Sequence, residues 1–424
     1  MGWMFNLFNV ERKLDRALDR LPGPGFTFVN WEGKQRRVGQ GRSRFTLTFK
    51  TRDALARSLL QSSLGFGEAY ARGDLLIDGD LEDVLVALHQ AYEATAKDYF
   101  QSKWIRWAVR RTLPVQKEHI EHHYGLGNEF YKYYLDKKLQ YSCGYFRTQQ
   151  DTLDQAQEQK LAHTAAKLHL QRGQRLLDIG CGWGHLMFHA AETYGVSCQG
   201  ITLCDNQAAY IREEAARRNL PVEVRVMNYL ELDEAVKWDR LVSVGMMCHV
   251  GRRHADQFYD KIKSLLAPKA VCLLHCISRM KDQAESDPFV EKHVFPGYWF
   301  FSLEGMTKRA VDRGLNILDV ENLRRHYGLT ARHWRANLRR NWEEIKRTMN
   351  FQDTFLRTWE FYLASVAAGF RTGQMNLIQM VMTNGINDDY PWTRDFLYGA
   401  SAGESAPLEP ASSESAMEEP AFSR

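Results

Sequence analysis

Arg175-Leu-Leu-Asp-Ile-Gly-Cys-Gly-Trp-Gly184 reads as a buried strand, a glycine turn and the start of a helix. The apolar run of Leu176, Leu177 and Ile179 is too short for a helix of its own. Gly180, Gly182 and Gly184 leave no Cβ where the backbone must bend sharply. A ligand can therefore sit directly against this backbone, and the free N–H groups of the following helix turn toward the same place.

Outward from this turn, a second apolar strand, Cys198 to Leu203, follows after one helix. This is the first βαβ unit of a doubly wound sheet, in which ligands bind at the carboxyl ends of the strands. The second strand ends in Thr202-Leu203-Cys204-Asp205-Asn206-Gln207, whose polar side chains suit the two hydroxyls of a ribose. Val222 to Val226, Arg240 to Met246, Ala270 to Ser278 and Asn316 to Arg324 supply the third to sixth strands. Leu377 to Met382 makes a last, antiparallel one. Leu153 to Leu170 is expected to be a helix with Leu161, Ala165 and Leu168 on one face, and Ala331 to Thr372 to form long helices with basic faces.

The 424 residues exceed one typical domain and suggest two, and a hydrophobic content of 44% is ample for a core. No run approaches the roughly 18 apolar residues of a spanning helix, so a soluble or surface-lying protein is expected. A formal charge of +4 is too mild to imply nucleic acid. The seven cysteines include no C-x-x-C pair, which favours reduced thiols in a cytosol over disulfides or zinc. His119, His122 and His123 lack a partner motif with a carboxylate base, so they are read as structural and no metal site is expected.

Met1 to Arg20 mixes Trp3, Phe5, Leu7 and Phe8 with Arg12, Lys13, Arg16 and Arg20 and has no cleavage signature. A helix that touches a membrane and a helix that docks on its own domain both remain open. After Pro22-Gly-Pro-Gly25, the segments Phe26 to Val29 and Phe45 to Phe49 alternate like half-buried strands. Asp53 to Leu60 reads as a helix, Gly65 to Asp80 as a glycine-punctuated loop and Leu81 to Tyr92 as a helix. Phe100 to Lys117 interleaves Trp104 and Trp107 with Arg106, Arg110, Arg111 and Lys117. That pattern suits a lipid headgroup layer, with a solvated linker helix as the alternative. RNA is a poorer partner because no recognition module accompanies the charges. Beyond Tyr398 the chain turns to Ser, Ala, Glu and Pro, a composition expected to be disordered.

With Asp178 ahead of its glycines, the turn resembles the nucleotide loop of class I S-adenosylmethionine-dependent methyltransferases more than a dinucleotide fingerprint. Ile120-Glu-His-His-Tyr-Gly-Leu-Gly-Asn-Glu-Phe-Tyr131, Gln140-Tyr-Ser-Cys-Gly-Tyr-Phe146, Val242-Ser-Val-Gly-Met246 with His249-Val-Gly251, and Arg325-His-Tyr-Gly-Leu-Thr330 extend the likeness. Together they resemble the cyclopropane-fatty-acyl-phospholipid synthase family over roughly Gly25 to Trp392. The resemblance implies an α/β fold: the doubly wound (Rossmann-like) seven-stranded sheet of class I methyltransferases, with a small α+β amino-terminal domain. Residues 1–99 would form that lipid-associated domain, 100–117 a basic aromatic linker, 118–398 the catalytic domain and 399–424 a disordered tail.

The resemblance further implies S-adenosylmethionine as cofactor and a membrane phospholipid as substrate. It implies peripheral contact with the cytoplasmic face of the inner membrane, no nucleic-acid partner, and leaves a homodimer open. Cofactor contacts would come from Asp178, Gly180, Gly182 and Gly184, from Thr202, Leu203 and Gln207, and from Asn228, where the family usually has aspartate for the adenine amine. Tyr124, Tyr141 and Ser142 would close over the methionine end.

An isolated alkene is a poor nucleophile, so methylating it needs a strong electrophile in a dry site. Aromatic faces can stabilise the cation that forms, which nominates Tyr133, Tyr298, Trp299 and Phe301 as lining residues. Ring closure then requires a base. In the family that base looks to be a bound bicarbonate ion, which motif by motif implicates Cys143, Cys248, His275, Ile277 and Tyr327. One position departs: Cys248 stands where the family motif has glutamate, and a thiol is mostly protonated near neutrality. A cyclopropane is the leading product. A branched or methylene product and a catalytically impaired lipid-binding protein remain as alternatives, and methylation of small amines is disfavoured.

Overall fold

The computed structural model describes residues 25–99, 127–280 and 286–398. The amino-terminal helix, the basic aromatic linker, His119, His122, His123, Tyr124 and the tail beyond Tyr398 lie outside them.

Four short strands open the described chain: β1 (Phe26–Val29), β2 (Gln35–Val38), β3 (Thr46–Phe49) and β4 (Leu75–Asp78), in the order β2-β1-β3-β4. Alternation puts Phe26, Phe28, Leu47 and Phe49 on the buried face. The glycine-punctuated stretch after them is not a loop. It forms the helix Ser63–Arg72 followed by β4, and tertiary packing explains why. A Cβ on Gly65 would lie 2.2 Å from the Arg57 carbonyl oxygen, and one on Gly67 would lie 2.4 Å from the Phe289 ring. These glycines permit close approach of neighbouring elements, a reason that overrides their poor helix propensity.

The second sheet is built from β5 (Arg175–Ile179), β6 (Ser197–Thr202), β7 (Val222–Val226), β8 (Trp238–Val244), β9 (Leu266–Arg279), β10 (Phe301–Ser302), β11 (Leu315–Asn322) and β12 (Met375–Asn384). Its order is β11-β12-β9-β8-β5-β6-β7, with β7, β6, β5, β8 and β9 parallel and β12 antiparallel to both its neighbours. The expected seven strands gain a two-residue eighth, β10, which pairs with the end of β9. Leu176, Leu177 and Ile179 are fully buried, as a central parallel strand requires. Connections run in opposite directions from β5 and β8, so the crevice at their carboxyl ends is the topological switch point.

Both sheets belong to one compact unit that extends to Asn387. Phe66 and Tyr70 each lie 6.1 Å, ring to ring, from Phe361 on the helix Asp353–Thr372. Charged groups reinforce this packing. Arg332 forks onto Glu82 at 2.6 to 3.1 Å, Arg371 bonds Asp83 at 2.7 Å, and the Tyr70 hydroxyl donates to buried Glu360 at 2.8 Å. Residues from Asp388 onward form a separate unit, in which Tyr390 and Phe396 meet edge to face at 5.9 Å. No helix of the described residues is long and apolar enough to cross a membrane.

Candidate active site

The chain leaves β5 through three glycines in the left-handed region, with φ of 83° at Gly180, 53° at Gly182 and 77° at Gly184. Their surroundings separate their roles. A Cβ on Gly180 would press on Met246 at 3.0 Å and one on Gly184 on Ile211 at 2.8 Å, whereas one on Gly182 would meet nothing within 4 Å. Gly182 thus faces open space at the amino end of the helix His185–Tyr194, a cradle that fits the nucleotide cofactor. The turn is held by the Gly180 and Cys181 N–H groups, both donating to the Ile201 carbonyl at 3.0 Å. Asp178, 2% exposed, has one carboxylate oxygen, Oδ1, without a partner among the described residues. Burial pushes its pKa up to about 7 against the pull of Lys160.

At the end of β6, Thr202 and Gln207 bond each other at 2.7 Å, while Leu203 is 75% exposed beside them. Asn228 follows β7, but its side-chain oxygen accepts from the Leu230 N–H at 3.0 Å as a helix cap. An amide oxygen has a second lone pair, so a cofactor amine remains within its capacity.

Sequence reasoning missed the polar seam of the helix Leu153–Lys167. Besides Leu161 and Ala165, that helix buries Gln157, Lys160, His163, Thr164 and Lys167. Gln157 donates to the Ser142 carbonyl at 2.9 Å, and Lys160 donates to the Ser142 hydroxyl at 2.9 Å. Thr164 accepts from Gln379 on β12 at 3.3 Å, while His163 and Lys167 converge on Glu321 of β11 at 2.7 and 2.6 Å. The signal was available, because Gln157, Lys160, Thr164 and Lys167 recur at helical spacings of three and four. The loop carrying Tyr141, Ser142 and Cys143 is pinned between this helix and the helix Arg324–Arg340. Its contacts are the Tyr145 N–H to the Ala156 carbonyl at 2.8 Å and the Gly144 N–H to Thr330 at 3.0 Å. Tyr141 is packed among aromatics, with its hydroxyl 3.0 Å from that of Tyr362.

The pinning places Cys143 in the same buried cluster as Tyr327 and Ile277. Cys248 joins them from the turn after β8. Its thiol donates to the Gly245 carbonyl at 3.4 Å, the Ile277 N–H lies near enough to pull its pKa down slightly, and both thiols are electrostatic neighbours of the Tyr327 hydroxyl. Burial raises the Cys248 pKa to about 11, and burial lifts Cys143 and Tyr327 well above their ordinary values, so all three are neutral. His275 lies two residues before Ile277 and so on the same face of β9. Burial, then Lys160, Lys167 and His163, push its pKa down to about 3. The Gln379 amide donates to His275 Nδ1 at 3.1 Å, which leaves the ring proton on Nε2; that atom is buried and has no partner among the described residues. The cluster thus offers neutral donors and one unsatisfied N–H, which fits a small anion except that no carboxylate orients it.

Three expected lining residues have other roles. The Tyr133 hydroxyl bonds Thr348 at 2.8 Å, the Tyr298 hydroxyl accepts from the Asp287 N–H at 2.8 Å, and Phe301 is 1% exposed in the core beneath Arg309. Trp299 remains beside the site through its N–H, which donates to the Cys248 carbonyl at 2.9 Å.

Residues 112–380 match the family described as Mycolic acid cyclopropane synthetase. The chain belongs to that family. Residues 15–99 match a second family, described only as a Domain of unknown function (DUF7884). The chain is 31% identical to a probable fatty acid methyltransferase of Pseudomonas putida over 87% of its length and 95% of the relative's. It is also 31% identical to the cyclopropane-fatty-acyl-phospholipid synthase of Escherichia coli (strain K12), over 80% and 88%. Among solved structures, mycolic acid cyclopropane synthase CmaA1 complexed with SAH and CTAB is 30% identical. It aligns with a TM-score of 0.58 over 63% of this chain and 97% of that one. This family member is an S-adenosylmethionine-dependent methyltransferase of the cyclopropane synthase type that modifies lipid acyl chains.

Proposed function

We propose that this methyltransferase acts on the double bond of an unsaturated acyl chain in a membrane phospholipid and closes the product to a cyclopropane. The observation that carries the reading is the Nε2–H of His275, 2% exposed and without a partner among the described residues, on the face of β9 shared with Ile277. A buried donor left unsatisfied is costly, so a site of this kind is built for an acceptor that arrives with the reaction. Bound S-adenosylmethionine would supply the methyl group, and a bound bicarbonate ion the base that removes a proton for ring closure. The glycine turn holds the nucleotide end, Asp178 contacts the cofactor beside it, Tyr141 and Ser142 close over the methionine end, and the tyrosines around Tyr141 exclude water that would trap a cation. His275 and Tyr327 hold the anion by donating to it.

A second reading rests on Cys248. Its neutral thiol donates to the Gly245 carbonyl and provides no carboxylate to orient a base. Without one, the cation formed by methyl transfer loses a proton elsewhere, directly or after a hydride shift, and gives a methylene or methyl-branched unsaturated chain. The product lipids of wild type and Cys248→Glu, each with and without bicarbonate, separate the readings. A wild-type cyclopropane that depends on bicarbonate, formed faster by Cys248→Glu, supports the first. A branched or methylene wild-type product supports the second. A cyclopropane indifferent to bicarbonate would defeat both.

For the substrate surface, we propose that residues 100–117, with the small amino-terminal domain of residues 1–99, meet phospholipid headgroups on the cytoplasmic side of the inner membrane. The interleaving of Trp104 and Trp107 with Arg106, Arg110, Arg111 and Lys117 supports this.

A further inference from the structure

We infer that Lys160 is a positioning residue that fixes the Ser142 hydroxyl as a hydrogen-bond donor to the carboxylate of the cofactor's amino-acid end, while Asp178 faces the ammonium group of the same zwitterion. The inference rests on the reading that Tyr141 and Ser142 meet that end of the cofactor.

An ammonium group has donors only, so the 2.9 Å contact between Lys160 Nζ and Ser142 Oγ makes the serine oxygen the acceptor. The single hydroxyl proton must then point away from Lys160, and it finds no acceptor among the described residues. Gln157 holds the backbone of the same residue by donating to the Ser142 carbonyl, so the hydroxyl cannot swing away with the loop.

Asp136 is the nearest charge partner of Lys160, yet the ammonium's hydrogen bond goes to Ser142 and not to that carboxylate. The Asp136 oxygens already accept from the Lys138 N–H at 3.0 Å, the Gln140 N–H at 2.8 Å and the Gln140 amide at 3.2 Å. Lys160 is 5% exposed and Asp178 2% exposed, with Asp178 Oδ1 left without a partner among the described residues. A buried cation reached through a hydroxyl, together with a buried carboxylate holding an idle oxygen, presents opposite charges to one ligand, the complement of an amino acid. Desolvation weakens both charges without removing them, so that Lys160 is still mostly protonated near pH 7 and Asp178 about half ionised. Burial draws Lys160 down to about 8, opposed by Asp136, Cys143 and Asp178, and Asp178 rises to about 7. A zwitterion in contact would restore both charges.

The test is calorimetry on the full chain with S-adenosylhomocysteine and with 5′-methylthioadenosine, which keeps the nucleoside and sulfur but lacks the amino-acid end. Lys160→Met should weaken S-adenosylhomocysteine about tenfold or more, the scale of a hydrogen bond to a charged group, and leave methylthioadenosine unchanged. Ser142→Ala should do the same, and the double variant should be no worse than either single one, because the two residues act as one device. Lys160→Gln, which keeps a donor for Ser142 but no charge, should lose less, again with S-adenosylhomocysteine alone. Equal losses for both ligands, or additive losses in the double variant, would overturn the inference and leave Lys160 a structural group. If Ser142→Ala weakens S-adenosylhomocysteine while Lys160→Met and Lys160→Gln do not, the role of Lys160 fails and the reading of the loop stands. If Ser142→Ala has no effect, that reading fails too.

Discussion

Gly182 and Gly184 lie two residues apart in the same turn, both in the left-handed region, yet alanine at each should have opposite consequences. At φ 53° an alanine in place of Gly182 is strained by about 1 to 2 kcal/mol. The lower entropy of its unfolded chain returns roughly 0.4 to 1 kcal/mol. Nothing lies within 4 Å of the new Cβ, so no clash is added and the net loss of stability should be about 1 kcal/mol. At Gly184 the same strain is joined by contacts of 2.8 Å to Ile211 and 3.4 Å to Met187 in a packed interior. Overpacking of that kind adds about 1 to 3 kcal/mol, for a total of roughly 2 to 4 kcal/mol. The open space at Gly182 is where the cofactor approaches the backbone, and a methyl group there should weaken S-adenosylhomocysteine by about a hundredfold, about 2.7 kcal/mol. Urea unfolding gives the stabilities and calorimetry the affinities. Gly182→Ala that binds within threefold of wild type would show that the cofactor does not lie against Gly182, and the assignment of the cradle would fall.

Other outcomes follow from the packing and the charges. Gly67→Ala puts a methyl group 2.4 Å from Phe289 and 2.7 Å from Phe361, and should destabilise the protein by roughly 1 to 3 kcal/mol in urea unfolding; an unchanged midpoint would contradict the close packing of the two sheets' helices. Burial would raise the Glu321 pKa, but the hydrogen bond with His163 and the charge of Lys167 hold it down at about 2. Its contribution to stability is therefore complete above an unfolded value near 4.5 and lost as pH falls toward 2. Glu321→Gln should be less stable than wild type at pH 7 and should lose less on acidification, measured by unfolding across that range. Replacing Arg106, Arg110 and Arg111 by Gln should weaken sedimentation with anionic vesicles and reduce its salt dependence, and equal binding by the variant would move the lipid surface to another face.

The sequence by itself determined the sheet that carries the cofactor turn. A five-residue apolar strand, three glycines and a helix start leave few alternatives, because local sterics and the handedness of crossover connections act whatever the distant chain does. The seven main strands and the grouping of Cys143, Cys248, Ile277 and Tyr327 were implied by the family resemblance that separated motifs carry, whereas the order of the strands came from the structure. Tertiary structure decided what depends on neighbours that local pattern does not specify. Gly65 and Gly67 look like loop residues until Arg57 and Phe289 press against them. Phe301 looks like a tunnel wall until burial under Arg309 makes it core. Lys160 looks like one more exposed helical lysine. Only the return of the loop at Ser142 and the approach of β5 close water off from it and make its charge matter, because desolvation is a property of everything packed around a group and not of the residues beside it in sequence.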